Sequence, residues 1–262
     1  MQKNGFLTRT KTMLHVDMRR MFTIPFFYIM IGIAFVVPIL ILVMTSMMDG
    51  TVSINPQTKV ETVMEGFDNV WQIFGSVSGA NAMDMSLTSM CNINMMYFAF
   101  AVFTCVFISE DFKSGYAKNI FTVRSKKTGY VISKTVVCFV CSALMILAFV
   151  LGSFIGGAVS GVPFEISGFS IMNFIACILS KIFLSLIFVS VCIIASVVGK
   201  AKSWLSLILS LGFGMLFYTM IPMVSPLDST VLNVLLSLVG GVLFAVGMGV
   251  ISKIVLAKSS LV

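Results

Sequence analysis

The sequence predicts an all-α membrane protein with six transmembrane helices, an amphipathic interfacial helix ahead of the first, and both termini in the cytoplasm. Three observations carry this. The 262 residues are 58% hydrophobic and 10% charged, with a mean hydropathy of +1.07, whereas a soluble domain carries about a quarter charged residues. The few charges are gathered into short segments, and the uncharged runs between them have membrane length. The cations then fall on alternate segments, as a chain inserted with its positive loops inside requires.

Residues 1–24 are expected to form the interfacial helix. Phe6, Leu7, Met13, Leu14, Met18 and Met21 recur at helical spacing among Arg9, Lys11, Arg19 and Arg20, which suits a helix lying in the inner interface. Pro25 stands where that helix must turn into the bilayer. The spans are expected at 25–48, 85–109, 135–158, 171–199, 203–223 and 231–252. Each lies within an apolar run near the ~20 residues that cross a ~30 Å hydrocarbon layer. Only the fourth is interrupted by a charge, Lys181.

The first external loop, 49–84, is the one sizeable aqueous segment. Thr58-Lys59-Val60-Glu61 reads as a capping box, and the stripe Phe67, Val70, Trp71 and Phe74 follows at helical spacing. A helix over 60–74 stopped by Gly75 is therefore expected, with the stripe covered by protein or lipid. Pro222 and Pro226 predict a broken or re-entrant turn before the last span. Gly152/Gly156 and Gly157/Gly161 have the GxxxG spacing that permits close helix contact, with dimerisation as one use of it.

With the N-terminus inside, 15 of the 17 Lys and Arg are cytoplasmic, and seven of the ten Asp and Glu are external. The net charge of +7 therefore faces anionic headgroups and implies no nucleic-acid partner. The six cysteines lie in or at spans and behave as small hydrophobes. The chain has no G-x-x-x-x-G-K-[ST] loop for a nucleotide, no G-x-S-x-G elbow, and one histidine, His15. Walker-type ATP binding, serine-nucleophile chemistry and any two-imidazole metal site are thus excluded. The chain reads as a non-enzyme that binds no cofactor or metal of its own.

The largest cytoplasmic feature is 110–134. It opens with Glu110-Asp111-Phe112 and Ser114-Gly115, continues through an amphipathic stretch to Arg124, and closes at Lys134. Positive-inside orientation accounts for the cations but needs no acids. In order and spacing, Glu110, Ser114-Gly115, Arg124 and Lys134 resemble the type 2 ABC exporter permeases (the ABC-2 family). In style the chain is similar to the short permeases of amphipathic peptide toxin (phenol-soluble modulin) export and of bacitracin and lantibiotic self-protection. The resemblance implies that Glu110, Asp111, Phe112, Ser114, Gly115, Arg124 and Lys134 form the segment that couples to a separate ABC ATPase. It further implies two ATPase copies holding the ATP and Mg, a second permease copy as homodimer or heterodimer, and a bacterial plasma membrane.

Lys181 admits two readings. It can line a transport path with Asn92 and Asn94, meeting an acidic group of the cargo at a cost of about 2.5–3.5 kcal/mol for burial at mid-membrane. The reading favoured from the sequence starts the span at Ile182 and lets Lys181 snorkel outward. Abundant Met and Phe, 20 and 24 residues, suit adaptable walls for an amphipathic cargo. The function expected from the sequence is that of the permease subunit of an ATP-driven exporter. A secondary carrier would show repeats and ionisable coupling residues in its spans; a membrane scaffold or sensor is the remaining alternative.

Overall fold

The computed structural model describes residues 3–54, 61–63, 65–77, 91–123, 127–218 and 221–258. Helix α1 (Lys3–Thr23) bends at Ile24, whose extended backbone precedes Pro25 at the start of α2 (Pro25–Met48). Proline suits that first turn because the amide it lacks would have no helical partner. Strands β1 (Val52–Ile54) and β2 (Glu61–Val63) form a small antiparallel pair with Val52 opposite Val63. Short 3-10 turns follow at Val70–Phe74 and Ile93–Met95. Then come α3 (Met96–Lys113), α4 (Tyr116–Val123), α5 (Thr128–Ser160), α6 (Ile171–Gly199), α7 (Ser203–Tyr218), α8 (Ile221–Val224) and α9 (Val231–Lys258).

Among the described residues, five helices are long and apolar enough to cross a membrane: Pro25–Met48, Ile93–Lys113, Thr128–Ser160, Ile171–Gly199 and Val231–Lys258. In the expected span 203–223 the described residues form α7, with 16 residues or about 24 Å at 1.5 Å per residue, and α8; residues 219–220 lie outside the described residues. Helices also outrun the uncharged stretches that suggested them, α3 reaching Lys113 and α5 starting at Thr128. A backbone ladder does not stop where hydropathy changes. Helix α6 is the most buried span and α9 the least; α2 packs along α5, and α9 along α6.

Close approach of the bundle helices depends on glycine. A Cβ on Gly156 would lie 2.9 Å from the Ile39 Cα, and one on Gly152 would meet the Phe35 carbonyl and Pro38. The Gly152/Gly156 pair is thus consumed between α5 and α2 of the same chain. Gly157 faces Val70 and Phe164, while Gly161 caps α5 with a left-handed φ of 74°. The Gly152/Gly156 spacing serves packing within the chain.

The helix expected over 60–74 does not form. Glu61–Val63 is strand, and among the described residues of this stretch only Val70–Phe74 is helical, as a single 3-10 turn. Two causes are visible. The β-branched Thr62 and Val63 favour the extended pairing with β1. Further on, the Gly66 amide donates to the Asp49 carboxylate at 2.9 Å, taking it out of any helical ladder. Asn69 then accepts from the Trp71 amide and restarts helical geometry locally. The capping-box residues Thr58 to Val60 lie outside the described residues. Phe67, Val70 and Phe74 are buried, and the Trp71 ring sits among Phe74, Phe154, Phe164, Phe169 and Phe174 at 5.0–6.4 Å between centroids. The stripe is covered by this chain's own turn at 161–170, to which it is stitched by the bond from the Val70 amide to the Pro163 carbonyl, 3.1 Å.

Candidate functional site

At the end of the bundle where α1 lies, four charged side chains meet. Asp17 and Arg20 come from α1, Asp111 from the last turn of α3, and Lys134 from the second turn of α5. Lys134 Nζ stands 2.9 Å from Asp17 Oδ1 and 2.7 Å from Asp111 Oδ2. Arg20 Nη1 donates to Asp111 Oδ1 at 2.8 Å and lies 3.7 Å from Asp17. Tyr130 OH donates to Asp111 at 2.9 Å and Ser133 Oγ to Asp17 at 2.6 Å. Three of the four charged side chains are fully buried; Arg20 is 26% exposed.

Helical geometry explains who points where. Asp17 falls between Met13 and Met21 on the face of α1 that is buried, packed on α5. The face that the sequence reading laid on the membrane interface is therefore turned partly into protein. On α3, a 100° step separates neighbours, so Asp111 turns inward while Glu110 stays exposed. Burying two carboxylates and two cations is tolerated because the signs balance and each carboxylate oxygen has a donor. Aromatic faces complete the shell: the Arg20 guanidinium lies 4.3 Å from the Tyr116 ring centroid and Lys134 Nζ 4.5 Å from that of Phe107. Burial pulls Arg20 down, but the Asp111 carboxylate beside it more than offsets this and leaves its pKa raised. Burial, then the Asp17 carboxylate, pushes the Tyr116 phenol up.

The cluster fixes a helix-turn-helix. Helix α3 ends where the Ser114 amide and hydroxyl both donate to the Glu110 carbonyl, at 2.9 and 2.7 Å. Gly115 turns the chain with a left-handed φ of 72°, a conformation glycine adopts without penalty. Helix α4 then leaves with Ala117 buried, Ile120 and Phe121 packed on the core, and Lys118 and Asn119 exposed. Of the residues expected to couple, Glu110 and Ser114 are exposed and Phe112 and Gly115 half-buried. Asp111 and Lys134 are enclosed in the ion cluster, and Arg124 lies outside the described residues. Arg20 had been read as an interfacial cation of the N-terminal helix, and Asp17, Tyr130 and Ser133 were not singled out in the sequence. Asp17 carried a signal, as the one acid on the basic N-terminal helix, set four residues from Met13 and from Met21.

A family model described as ABC-2 family transporter protein matches residues 23–220. This chain belongs to the ABC-2 transporter family. No curated protein and no solved structure matches it. An ABC-2 family protein is the membrane transport subunit of an ABC transporter, and the family implies an ABC ATPase partner. Asp111, Lys134 and Lys181 fall inside the region by which the chain is recognised as an ABC-2 protein, and Asp17 and Arg20 precede it.

At the opposite end of this ABC-2 bundle, α6 is one continuous helix from Ile171, and Lys181 is buried inside it. The snorkelling reading is overturned. Lys181 Nζ donates to Asn94 Oδ1 and to Ser225 Oγ, each at 3.0 Å. Its own carbonyl accepts from Tyr97 OH at 3.1 Å. Asn92 accepts from the Asn94 amide and so caps the turn that presents Asn94. Lys181 thus joins α6, the start of α3 and the break after α8. Among the described residues no carboxylate pairs with it. Ser225, the partner missed in the sequence, closes α8, its amide and hydroxyl donating to the Ile221 carbonyl at 3.0 and 2.9 Å.

Proposed function

We propose that this chain is the permease of an ATP-driven exporter that moves amphipathic peptides or other amphiphiles outward with energy from a separate ABC ATPase. The observation that carries this reading is the buried four-charge cluster, which ties α1, α3 and α5 together beneath a short exposed turn at Ser114-Gly115. A load applied at that turn passes through charge-assisted bonds into two long helices instead of being lost in a flexible loop.

In this reading the α1 end faces the cytoplasm, both termini are cytoplasmic, and α7 with α8 supplies a sixth crossing. Two ATPase subunits dock on two permease copies through Glu110, Phe112, Ser114, Gly115 and Arg124, holding ATP and Mg themselves. Asp111 and Lys134 act in coupling as internal struts. Lys181, Asn92 and Asn94 belong to the outer part of the transport path, closed here because the amine is occupied by Asn94 and Ser225. The many Met and Phe support an amphipathic cargo, as in the short permeases of peptide toxin export and peptide-antibiotic self-protection.

The deciding experiment is co-purification of the tagged permease from its native membrane, followed by ATPase assays in nanodiscs with helical amphipathic peptides, phospholipids and hydrophobic drugs. An ABC ATPase in the preparation, stimulated by peptides, is the expected result. No associated ATPase sinks the exporter reading, and stimulation by drugs or lipids alone sinks the peptide reading.

A further inference from the structure

Helix α9 packs along α6, leaving an apolar groove of about 330 Å³ between α5 and α9. Val131, Ile132 and Val136 form one wall, and Val242, Val246 and Val250 the other. Leu186 of α6 lies behind them. Gly249 has no side chain to fill the space, and a Cβ there would sit 3.7 Å from Val131. At one end, α9 closes on α6, with Gly241 against the Phe183 carbonyl. At the other, the groove opens beside Lys253, the single charged residue of its lining. Lys127 Nζ bonds the Leu256 carbonyl there and ties α5 to the end of α9.

We propose that this groove holds one acyl chain of an anionic phospholipid, whose phosphate sits on the Lys253 amine. Length is the first reason. From Val242 to Lys253 the groove follows α9 for about three turns, roughly 16 Å at 1.5 Å per residue. One leaflet contributes about half of a ~30 Å hydrocarbon layer, so a chain entering at Lys253 fills the groove from headgroup to midplane. Charge is the second. Lys253 is exposed, and Arg9, Lys11, Arg19 and Lys258 are exposed on the same end of the bundle, a surface that favours anionic headgroups. The lysine stem lies along apolar wall while its amine reaches the interface. Chemistry is the third: with no acid and one cation in the lining, the groove suits a hydrocarbon ending in an anion. The site rests on the cytoplasmic assignment of the α1 end only for the name of the leaflet, and it does not require the ATPase.

Native mass spectrometry of the purified full-length chain, with phosphatidylglycerol and phosphatidylcholine of matched acyl chains, tests it. Wild type is expected to retain one phosphatidylglycerol in preference to phosphatidylcholine. Lys253→Gln lowers that preference roughly fivefold, the contribution of one lysine near an anionic surface. Gly249→Leu fills the groove and lowers retention of both lipids; if it does not fold, Ala245→Phe fills the same space from the next turn. Equal retention of the two lipids by wild type, or unchanged retention in variants that fill the groove, overturns the assignment. So does efficient disulfide crosslinking of Val246→Cys between two copies, which gives the groove to a second subunit. ATPase co-purification is read separately, so either result can fail alone.

Discussion

Replacing Lys134 by Met removes a cation that makes two ion pairs, at 2.9 Å to Asp17 and 2.7 Å to Asp111, from a site with no exposure. The cluster then keeps two carboxylates and only Arg20, which is 26% exposed and bonds chiefly to Asp111. Asp17 becomes a buried carboxylate with a hydroxyl donor and a cation 3.7 Å away. Breaking a fully buried pair by removing one partner costs about 3–5 kcal/mol. For a chain of this size each kcal/mol moves the melting temperature by roughly 2–4 °C, so a fall of about 6–20 °C is expected in detergent. Adding Asp17→Asn restores neutrality and leaves the 2.8 Å Arg20–Asp111 pair intact. The double variant is therefore expected to recover at least half of the loss. Thermal unfolding followed by size-exclusion gives the stabilities, and hydrogen exchange over 116–123 reports whether α4 loosens. A Lys134→Met melting point equal to wild type, or a double variant no more stable than the single, refutes the charge-balance reasoning.

Glu110→Lys or Gly115→Glu is expected to leave insertion and folding intact while ATP hydrolysis by the associated ATPase no longer drives export; full transport in both removes the coupling role of this turn. Gly152→Leu drives a side chain into the Phe35 carbonyl and Pro38 and separates α2 from α5, costing 1–3 kcal/mol or more by overpacking. A change in oligomeric state at unchanged melting temperature returns that face to a subunit interface. Lys181→Met strands the Asn94 and Ser225 oxygens, each about 1–3 kcal/mol if left unpaired, and is expected to alter export while co-purification with the ATPase persists. Unaltered export by a folded Lys181→Met protein takes Lys181 out of the path.

Much of the architecture was legible because the bilayer imposes a length scale on the chain. Uncharged runs of ~20 residues read as helices, since hydrocarbon admits only helices and closed barrels and a barrel strand needs about half that length, and five of the expected six appear as single long helices. Local signals failed where partners from distant segments competed. The 60–74 stretch had helical periodicity, but it also had a strand partner at 52–54 and a carboxylate at Asp49 that captures the Gly66 amide. At the candidate site, Glu110, Phe112, Ser114 and Gly115 were readable as a pattern along the chain. Asp17 showed only its place as the lone acid among cations, between Met13 and Met21, and nothing local told the Arg20 charge from a headgroup-facing one.

Sequence alone determined what depends on composition and spacing: a membrane-embedded helical chain, one end ringed with cations, no nucleotide loop, and a charged turn between the second and third long helices. Tertiary structure decided which of those charges are inside. Asp17 and Lys134 are 117 residues apart, and only the packing of α1 against α5 brings their opposite charges into a space from which water is excluded. Lys181 could have been a snorkelling cation until Asn94 and Ser225, on two other segments, were placed around its amine. The physical reason is common to both. A charge is fixed by its partners and its dielectric surroundings, and in a folded chain both come from residues far away in sequence.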